Sequence, residues 1–168
     1  MLMPQTLSIP NGDKVQGTFS RQEMSSRLAR LRRYMAENDL QAVLFTSYHN
    51  INYYSDFVYC RFGRDYGLVV TQHDYTTISA NIDGGQPYRR NQLGANVVYT
   101  DWQKDNFFHA VKQLIKDGGK VGVEFDHMPL QNLEKMKAIL PAAAFVDIGV
   151  PTMKMRMIKS AEEIALIK

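Results

Sequence analysis

The sequence predicts an α/β domain of three layers, in which a mixed β-sheet lies between helices. In the second half of the chain, strand-like and helix-like segments alternate, a pattern typical of parallel strands joined by helices. Residues 66–71 and 75–80 are both strand-like and only Gln72-His73-Asp74 separates them. They should therefore form a hairpin, which makes the sheet mixed. The length of 168 residues, 45% of them hydrophobic, suits one soluble domain with its own core.

The first regular element should be a helix that follows an extended arm over residues 1–18, with a turn at residues 11–13. Ser20 is a good N-cap, and Glu23 completes the pattern of a capping box. One apolar stripe follows at helical spacing, made of Met24, Leu28, Leu31 and Met35. The net charge of +3 is too small to indicate nucleic-acid binding. Acidic residues are interspersed among the arginines of this region, so we expect a solvated helix face made of Arg21, Arg27, Arg30, Arg32 and Arg33.

The remaining elements follow from hydrophobic runs and from the residues that interrupt them. Strands are expected over residues 41–45, 66–71, 75–80, 96–100, 120–125 and 144–148. Helices are expected over residues 48–55, between Asp101 and Gly118, and over residues 129–140 with Leu130, Leu133, Met136 and Leu140 inward. Ser160 and Glu163 form a second capping-box pattern just before the sequence ends at Lys168. We therefore expect a longer protein to continue beyond this helix.

An aromatic stretch over residues 46–65 holds the most distinctive chemistry of the chain. Its aromatic side chains are Tyr48, Tyr53, Tyr54, Phe57, Tyr59 and Phe62. It ends in Arg61-Phe62-Gly63-Arg64, and an arginine fork beside an aromatic face suits a small ligand that carries a carboxylate. The alternative is a tyrosine-rich helix packed on the sheet and followed by a surface turn.

Other candidate sites are weaker. Cys60 is the only cysteine, which excludes an intrachain disulfide, and the four histidines stand at no metal-ligand spacing. We therefore expect no metal and no cofactor. The segment from Glu124 to His127 resembles a site at a strand end, although carboxylates there also cap helices or form turns. Residues 1–10 contain no signal peptide or membrane anchor, so a reduced, cytoplasmic setting is expected.

Four segments carry a family resemblance. They are residues 47–64 (SYHNINYYSDFVYCRFGR), 78–87 (ISANIDGGQP), 98–106 (VYTDWQKDN) and 155–163 (MRMIKSAEE). Together they resemble the amino-terminal domain of the creatinases, the creatine amidinohydrolases. The last segment by itself is generic to the creatinase/aminopeptidase P/prolidase superfamily. The resemblance covers essentially the whole chain.

The resemblance implies a ribonuclease H-like fold over residues 19–157, with residues 158–168 beginning a linker helix into a pita-bread catalytic domain that this chain lacks. It also implies hydrolysis of creatine to sarcosine and urea without a metal, in a homodimer. The catalytic residues would lie in the second domain, and this chain alone should be inactive. The amino-terminal domain would contribute Phe62 and Arg64 to the neighbouring subunit's active site. Two alternatives stay open, the matching domain of an Xaa-Pro peptidase and a stand-alone binding or dimerisation module.

Overall fold

The computed structural model describes residues 3–59 and 63–168, and it confirms the predicted three-layer α/β architecture. Seven strands form one sheet in the order β1-β5-β4-β3-β2-β6-β7. Antiparallel pairing joins β1 to β5, β4 to β3 and β3 to β2. Parallel pairing joins β5 to β4, β2 to β6 and β6 to β7. The sheet is therefore mixed, as the predicted hairpin required.

The bounds of the regular elements agree with the sequence patterns to within a few residues for most of the chain. The strands are β1 (Thr6–Leu7), β2 (Leu40–Phe45), β3 (Gly67–Thr71), β4 (Tyr75–Ala80), β5 (Ala95–Tyr99), β6 (Lys120–Val123) and β7 (Ala144–Asp147). The α-helices are α1 (Arg21–Glu37), α2 (Tyr48–Ser55), α3 (Gln86–Arg90), α4 (Asn106–Leu114), α5 (Leu130–Ile139), α6 (Gly149–Met157) and α7 (Ala161–Ile167). Among the described residues, no helix has the length and apolar character needed to span a membrane.

Two hydrophobic clusters lie on opposite faces of the sheet because successive side chains of a strand point to opposite sides. In β2, Val43 and Phe45 belong to the cluster that includes residues of α1 and α2. Their neighbours Ala42 and Leu44 belong to the cluster that includes residues of α4 and Met136 of α5. Both faces of the central strand are thus covered, which explains why β2 is a continuous apolar run rather than an alternating one.

The N-terminus of α1 is capped in an unexpected way. Ser20 Oγ accepts a hydrogen bond from the backbone N–H of Glu23 at 3.1 Å, as predicted. The second half of the predicted capping box is wrong, because the backbone N–H of Ser20 donates to Glu162 Oε2 at 2.9 Å. The Ser20 hydroxyl donates to the other oxygen of the same carboxylate at 2.5 Å. A residue of α7 therefore caps α1, whereas Ser160 and Glu163 form the predicted second capping box within α7.

Arg27 departs from the solvated arginine face predicted for α1, since it is only 1% exposed. Its guanidinium donates to Glu23 Oε1 at 2.8 Å, to Glu163 Oε1 at 3.1 Å and to the backbone oxygen of Tyr53 at 2.8 Å. The rings of Phe19 and Tyr53 lie 4.0 and 4.1 Å from it. Arg27 thereby joins α1, α2 and α7 at one point.

Among the described residues, one β-strand and two α-helices were not predicted. Strand β1 has only two residues and adds to the sheet through Thr6 and Leu7, which pair with Tyr99 and Val98. Helix α3 begins directly after Gly84 and Gly85, with a proline in its first turn. Helix α6 follows β7 directly.

In α5, Leu130 is 82% exposed rather than inward, because it is the first residue of that helix.

Candidate functional site

The predicted ligand-binding pair lies just before strand β3. Phe62 falls outside the described residues, as do Arg61 and Cys60. Gly63 has a φ of +73°, a left-handed conformation, and a Cβ placed there would meet no atom of residues 3–59 or 63–168 within 4 Å. Glycine therefore serves the backbone conformation rather than close packing at this position.

Arg64 is half-buried, and no hydrogen bond or ion pair joins its guanidinium to another residue of 3–59 or 63–168. The next residue is anchored on two sides. The Asp65 backbone oxygen accepts a hydrogen bond from the Tyr99 hydroxyl at 2.9 Å, and Asp65 Oδ1 accepts one from Asn132 Nδ2 at 3.1 Å. Toward the described residues, the guanidinium donors of Arg64 therefore stay free, next to a backbone position that is held in place. Free donors are what an arginine needs to bind a carboxylate.

An aromatic group supports this segment. Tyr59 and Tyr66 stack with ring centroids 4.1 Å apart, and Phe57 lies 5.3 Å from Tyr59. The Tyr66 hydroxyl donates to Asp83 Oδ2 at 2.6 Å. Burial, followed by this hydrogen bond, raises the pKa of Tyr66, while the positive charge of Arg64 opposes the rise. The raised pKa keeps the Tyr66 hydroxyl protonated, as a donor to Asp83.

A second cluster is centred on Glu124, which follows β6 and is 1% exposed. Its Oε2 accepts the backbone N–H groups of Thr46 and Ser47 at 2.8 and 2.9 Å. Its Oε1 accepts from Ser47 Oγ at 2.5 Å and from Asn50 Nδ2 at 2.6 Å. Glu124 therefore holds the entry to α2, where a negative charge is stabilised by the helix dipole. This supports the interpretation of Glu124 as a residue that caps a helix.

Two histidines converge on the same carboxylate. His49 Nε2 lies 4.0 Å from Glu124 Oε1, and the rings of His49 and His127 meet edge to face with centroids 5.0 Å apart. Ligand atoms of His49, Glu124 and His127 all lie within 4.8 Å of one another. Burial is the largest cause that lowers the pKa of His49, and the charge of Arg156 adds to it. Both favour the neutral imidazole, the form that binds metals.

In the sequence, His49 stands 75 and 78 residues before Glu124 and His127, so no local motif connects the three. His49 lies in the first turn of α2, while Glu124 and His127 follow β6. The sequence does hold one signal that could have indicated their proximity. Residues 46–49 follow strand β2 and residues 124–127 follow strand β6, and these two strands pair in parallel. The carboxyl ends of parallel neighbours meet at one edge of a sheet, so their following residues come together.

The family of this chain follows from its sequence. The model of the creatinase/prolidase N-terminal domain matches residues 27–158. The chain belongs to this family. Over 161 residues it is 53% identical to "Creatinase" from Bacillus sp. (strain B-0618), an alignment that covers 94% of this chain and 39% of that protein. This creatinase/prolidase N-terminal domain therefore spans about two fifths of the length of its curated relative.

Solved structures share the fold of the creatinase/prolidase N-terminal domain. A proline dipeptidase from Streptococcus pneumoniae TIGR4 aligns with a TM-score of 0.70 at 21% identity, over 79% of this chain and 98% of that one. A recombinant prolidase from Thermococcus sibiricus aligns with a TM-score of 0.71 at 19% identity, over 84% of this chain and 39% of that one. The first of these solved chains consists almost entirely of this domain, so the fold exists without a further domain.

Proposed function

We propose that the intact protein is a creatinase that hydrolyses creatine to sarcosine and urea. The observation that carries the proposal is the 53% identity to a creatinase over 94% of this chain. The solved prolidases are 19–21% identical, so their similarity supports the fold and does not favour a peptidase reaction. The catalytic groups would lie in a second domain of the pita-bread type, acting without a metal.

The proposed domain organisation assigns residues 1–18 to an arm, 19–157 to the amino-terminal domain and 158–168 to the start of a linker helix. The contacts of α7 support a fixed linker. Glu162 caps α1 through Ser20, and Glu163 pairs with the buried Arg27. A helix of seven residues is too short to be stable by itself, so these contacts hold its orientation relative to the domain.

In the proposed cytoplasmic homodimer, Phe62 and Arg64 contact creatine in the active site of the neighbouring subunit. Creatine carries a carboxylate at one end and a guanidinium at the other. Arg64 has uncommitted donors among the described residues and is suited to a two-bond contact with the carboxylate. Phe62 would provide an apolar wall for the methyl and methylene groups.

The reaction is tested with the intact protein encoded by the gene that contains this chain. We expect urea to be released from creatine in equal amount to sarcosine, and no cleavage of an Xaa-Pro dipeptide with or without added Mn²⁺. Cleavage of the dipeptide together with inactivity toward creatine would assign the domain to a peptidase instead. The isolated chain should release no urea, because its sequence pattern contains no recognisable set of acid-base residues.

The role of Arg64 is tested by substitution in the intact dimer. Arg64→Ala should lower kcat/KM about 10- to 150-fold, because a charge-assisted hydrogen bond contributes about 1.5–3 kcal/mol. Arg64→Lys should recover only part of the loss, since an ammonium lacks the two-donor fork. Arg33→Ala, which removes an exposed arginine of α1, is the matched control and should leave kcat/KM unchanged.

Mixed dimers distinguish a contact in the same subunit from a contact in the neighbouring one. Arg64→Ala subunits are combined with subunits whose catalytic domain is inactive. If Arg64 serves the neighbour, one of the two sites in a mixed dimer is intact, and the mixture regains about half the activity of a normal dimer. Inactivity of mixed dimers that demonstrably form would show that Arg64 acts within its own subunit.

A further inference from the structure

We propose that His49, Glu124 and His127 form a binding site for one divalent cation of the zinc class. Two imidazoles and one carboxylate are a donor set that zinc uses in proteins, with a fourth position left for water or another ligand. The three side chains come from the first turn of α2 and from the residues after β6, and their ligand atoms lie within 4.8 Å of one another. The proposal departs from the expectation of no metal, which rested on spacing along the sequence, because the three residues meet only in the folded chain. It is independent of the function proposed above, and the ion has no role in that reaction.

The ligand atoms lie farther apart than in a site that holds an ion. Bonds of about 2.0–2.1 Å place neighbouring ligand atoms about 3.4 Å apart. His49 Nε2 and Glu124 Oε1 are 4.0 Å apart, and all three ligand atoms lie within 4.8 Å of one another. The distances between ligand atoms must therefore shorten by about 0.6 Å in this pair and by at most about 1.4 Å in the others on binding. Glu124 is held by its hydrogen bonds, whereas His49 and His127 are both partly exposed. The two imidazoles can therefore move towards the carboxylate.

Two buried polar atoms in and beside the group have no hydrogen-bond partner within residues 3–59 and 63–168. Asn50 is 1% exposed, and its Oδ1 has no hydrogen-bond partner among the described residues. The Nδ1 atom of His127 is also buried and has no hydrogen-bond partner among the described residues, although Asp126 Oδ1 lies 3.1 Å from it. Buried polar groups normally have a hydrogen-bond partner in the protein or in an ordered water molecule. A cation with its bound water would provide Asn50 with a donor, and a bond from His127 to the ion would fix its tautomer.

The hydrogen bonds to Glu124 suit a metal ligand as well as a helix cap. Carboxylate ligands are usually oriented by donors outside the coordination sphere, and here Ser47 and Asn50 donate to Oε1, the oxygen nearest His49. Capping alone accounts for the burial of Glu124 but not for two imidazoles on the same carboxylate. The ion would connect α2 with the segment after β6.

The site opens onto a cavity of about 240 Å³, lined in part by His49, Glu124, Asp126 and Arg156. The carboxylate of Asp126 is exposed and adds negative charge beside the group, whereas Arg156 adds positive charge on the same cavity. The fourth coordination position can therefore be filled by water from this cavity. An ion bound there would be exchangeable, because solvent reaches it without opening the core.

Binding is measured on the purified chain after treatment with a chelator and removal of the chelator. A solved relative made almost entirely of this domain shows that the fold forms without another domain. Titration calorimetry with Zn²⁺ should give one equivalent per chain, and Co²⁺ should give visible absorption bands of a tetrahedral site. Thermal unfolding should shift upward with Zn²⁺, because an ion that binds only the folded state stabilises it.

Variants locate the ion. His49→Ala and His127→Ala should each weaken Zn²⁺ binding about 100-fold or more, since even substitutions outside the coordination sphere cost 10- to 100-fold. His73→Ala, which removes an exposed histidine in the β3–β4 turn, is the matched control and should bind as the unmodified chain does. Circular dichroism of each chelator-treated variant checks that the fold is retained.

Two results would overturn the proposal. One is the absence of stoichiometric Zn²⁺ binding at micromolar protein concentration. The other is binding that His49→Ala and His127→Ala leave unchanged, or that His73→Ala weakens equally. Glu124→Gln is not used as the primary test, because Glu124 also accepts hydrogen bonds from the backbone of Thr46 and Ser47 and its loss would disturb the entry to α2.

Discussion

Replacing Arg27 with alanine should be among the most destabilising single changes in the α1–α2–α7 region. The variant leaves Glu23 and Glu163 without their common partner, although their side chains are only 10% and 8% exposed. It also removes the donor to the Tyr53 backbone oxygen, a carbonyl in the last turn of α2 where a positive charge is favourable.

The expected loss in the free energy of unfolding follows from the burial of the Arg27 ion pairs. Removing one partner of a buried ion pair costs about 3–5 kcal/mol, because it leaves an uncompensated charge. A loss of this size is a large fraction of the stability of a domain, which is about 5–15 kcal/mol. For a chain of this length the midpoint temperature should fall by about 6–20 °C. Arg27→Met should cost less, since its side chain restores part of the packing between the rings of Phe19 and Tyr53.

The assay is urea unfolding followed by circular dichroism, with Arg33→Ala on the exposed face of α1 as control. That control should change the free energy of unfolding by less than about 0.5 kcal/mol. A double-mutant cycle with Glu163→Gln isolates the contact between α1 and α7. If Arg27→Ala costs under about 1 kcal/mol, similar to the control, Arg27 does not join the three helices energetically, and the reasoning is refuted.

Two further predictions concern stability. The hydrogen bonds from Ser20 lower the pKa of Glu162, so its contribution is present above the ordinary glutamate pKa of about 4.3 and is lost as the pH falls through the lower folded value. The difference in unfolding free energy between the unmodified chain and Glu162→Gln should therefore shrink at acidic pH, and a difference independent of pH would contradict this. Gly94→Ala should cost at least about 2 kcal/mol in urea unfolding, because its Cβ would lie 2.0 Å from the Tyr75 backbone oxygen. Gly149→Ala, whose Cβ would lie no closer than 3.3 Å to its nearest neighbours, the side-chain oxygens of Asp126 and Asp147, is the control, and equal losses would refute the steric argument.

Local patterns were sufficient for the fold class. The apolar stripe of α1 and the hairpin of β3 and β4 are determined by residues adjacent in sequence, because helical and strand periodicity reflect which side of each element is buried. The family also follows from the sequence, through segments such as residues 47–64 and 155–163 and the match over residues 27–158. The assignments of Phe62 and Arg64 to a creatine site stay predictions.

The tertiary structure decided the contacts between distant residues. The burial of Arg27 depends on Glu163, which is 136 residues away, and the cap of Ser20 depends on Glu162 at a separation of 142 residues. The meeting of His49 with Glu124 and His127 depends on the parallel pairing of β2 with β6. Charge and residue type show that such side chains need partners once buried, but only the folded chain determines which partners they reach.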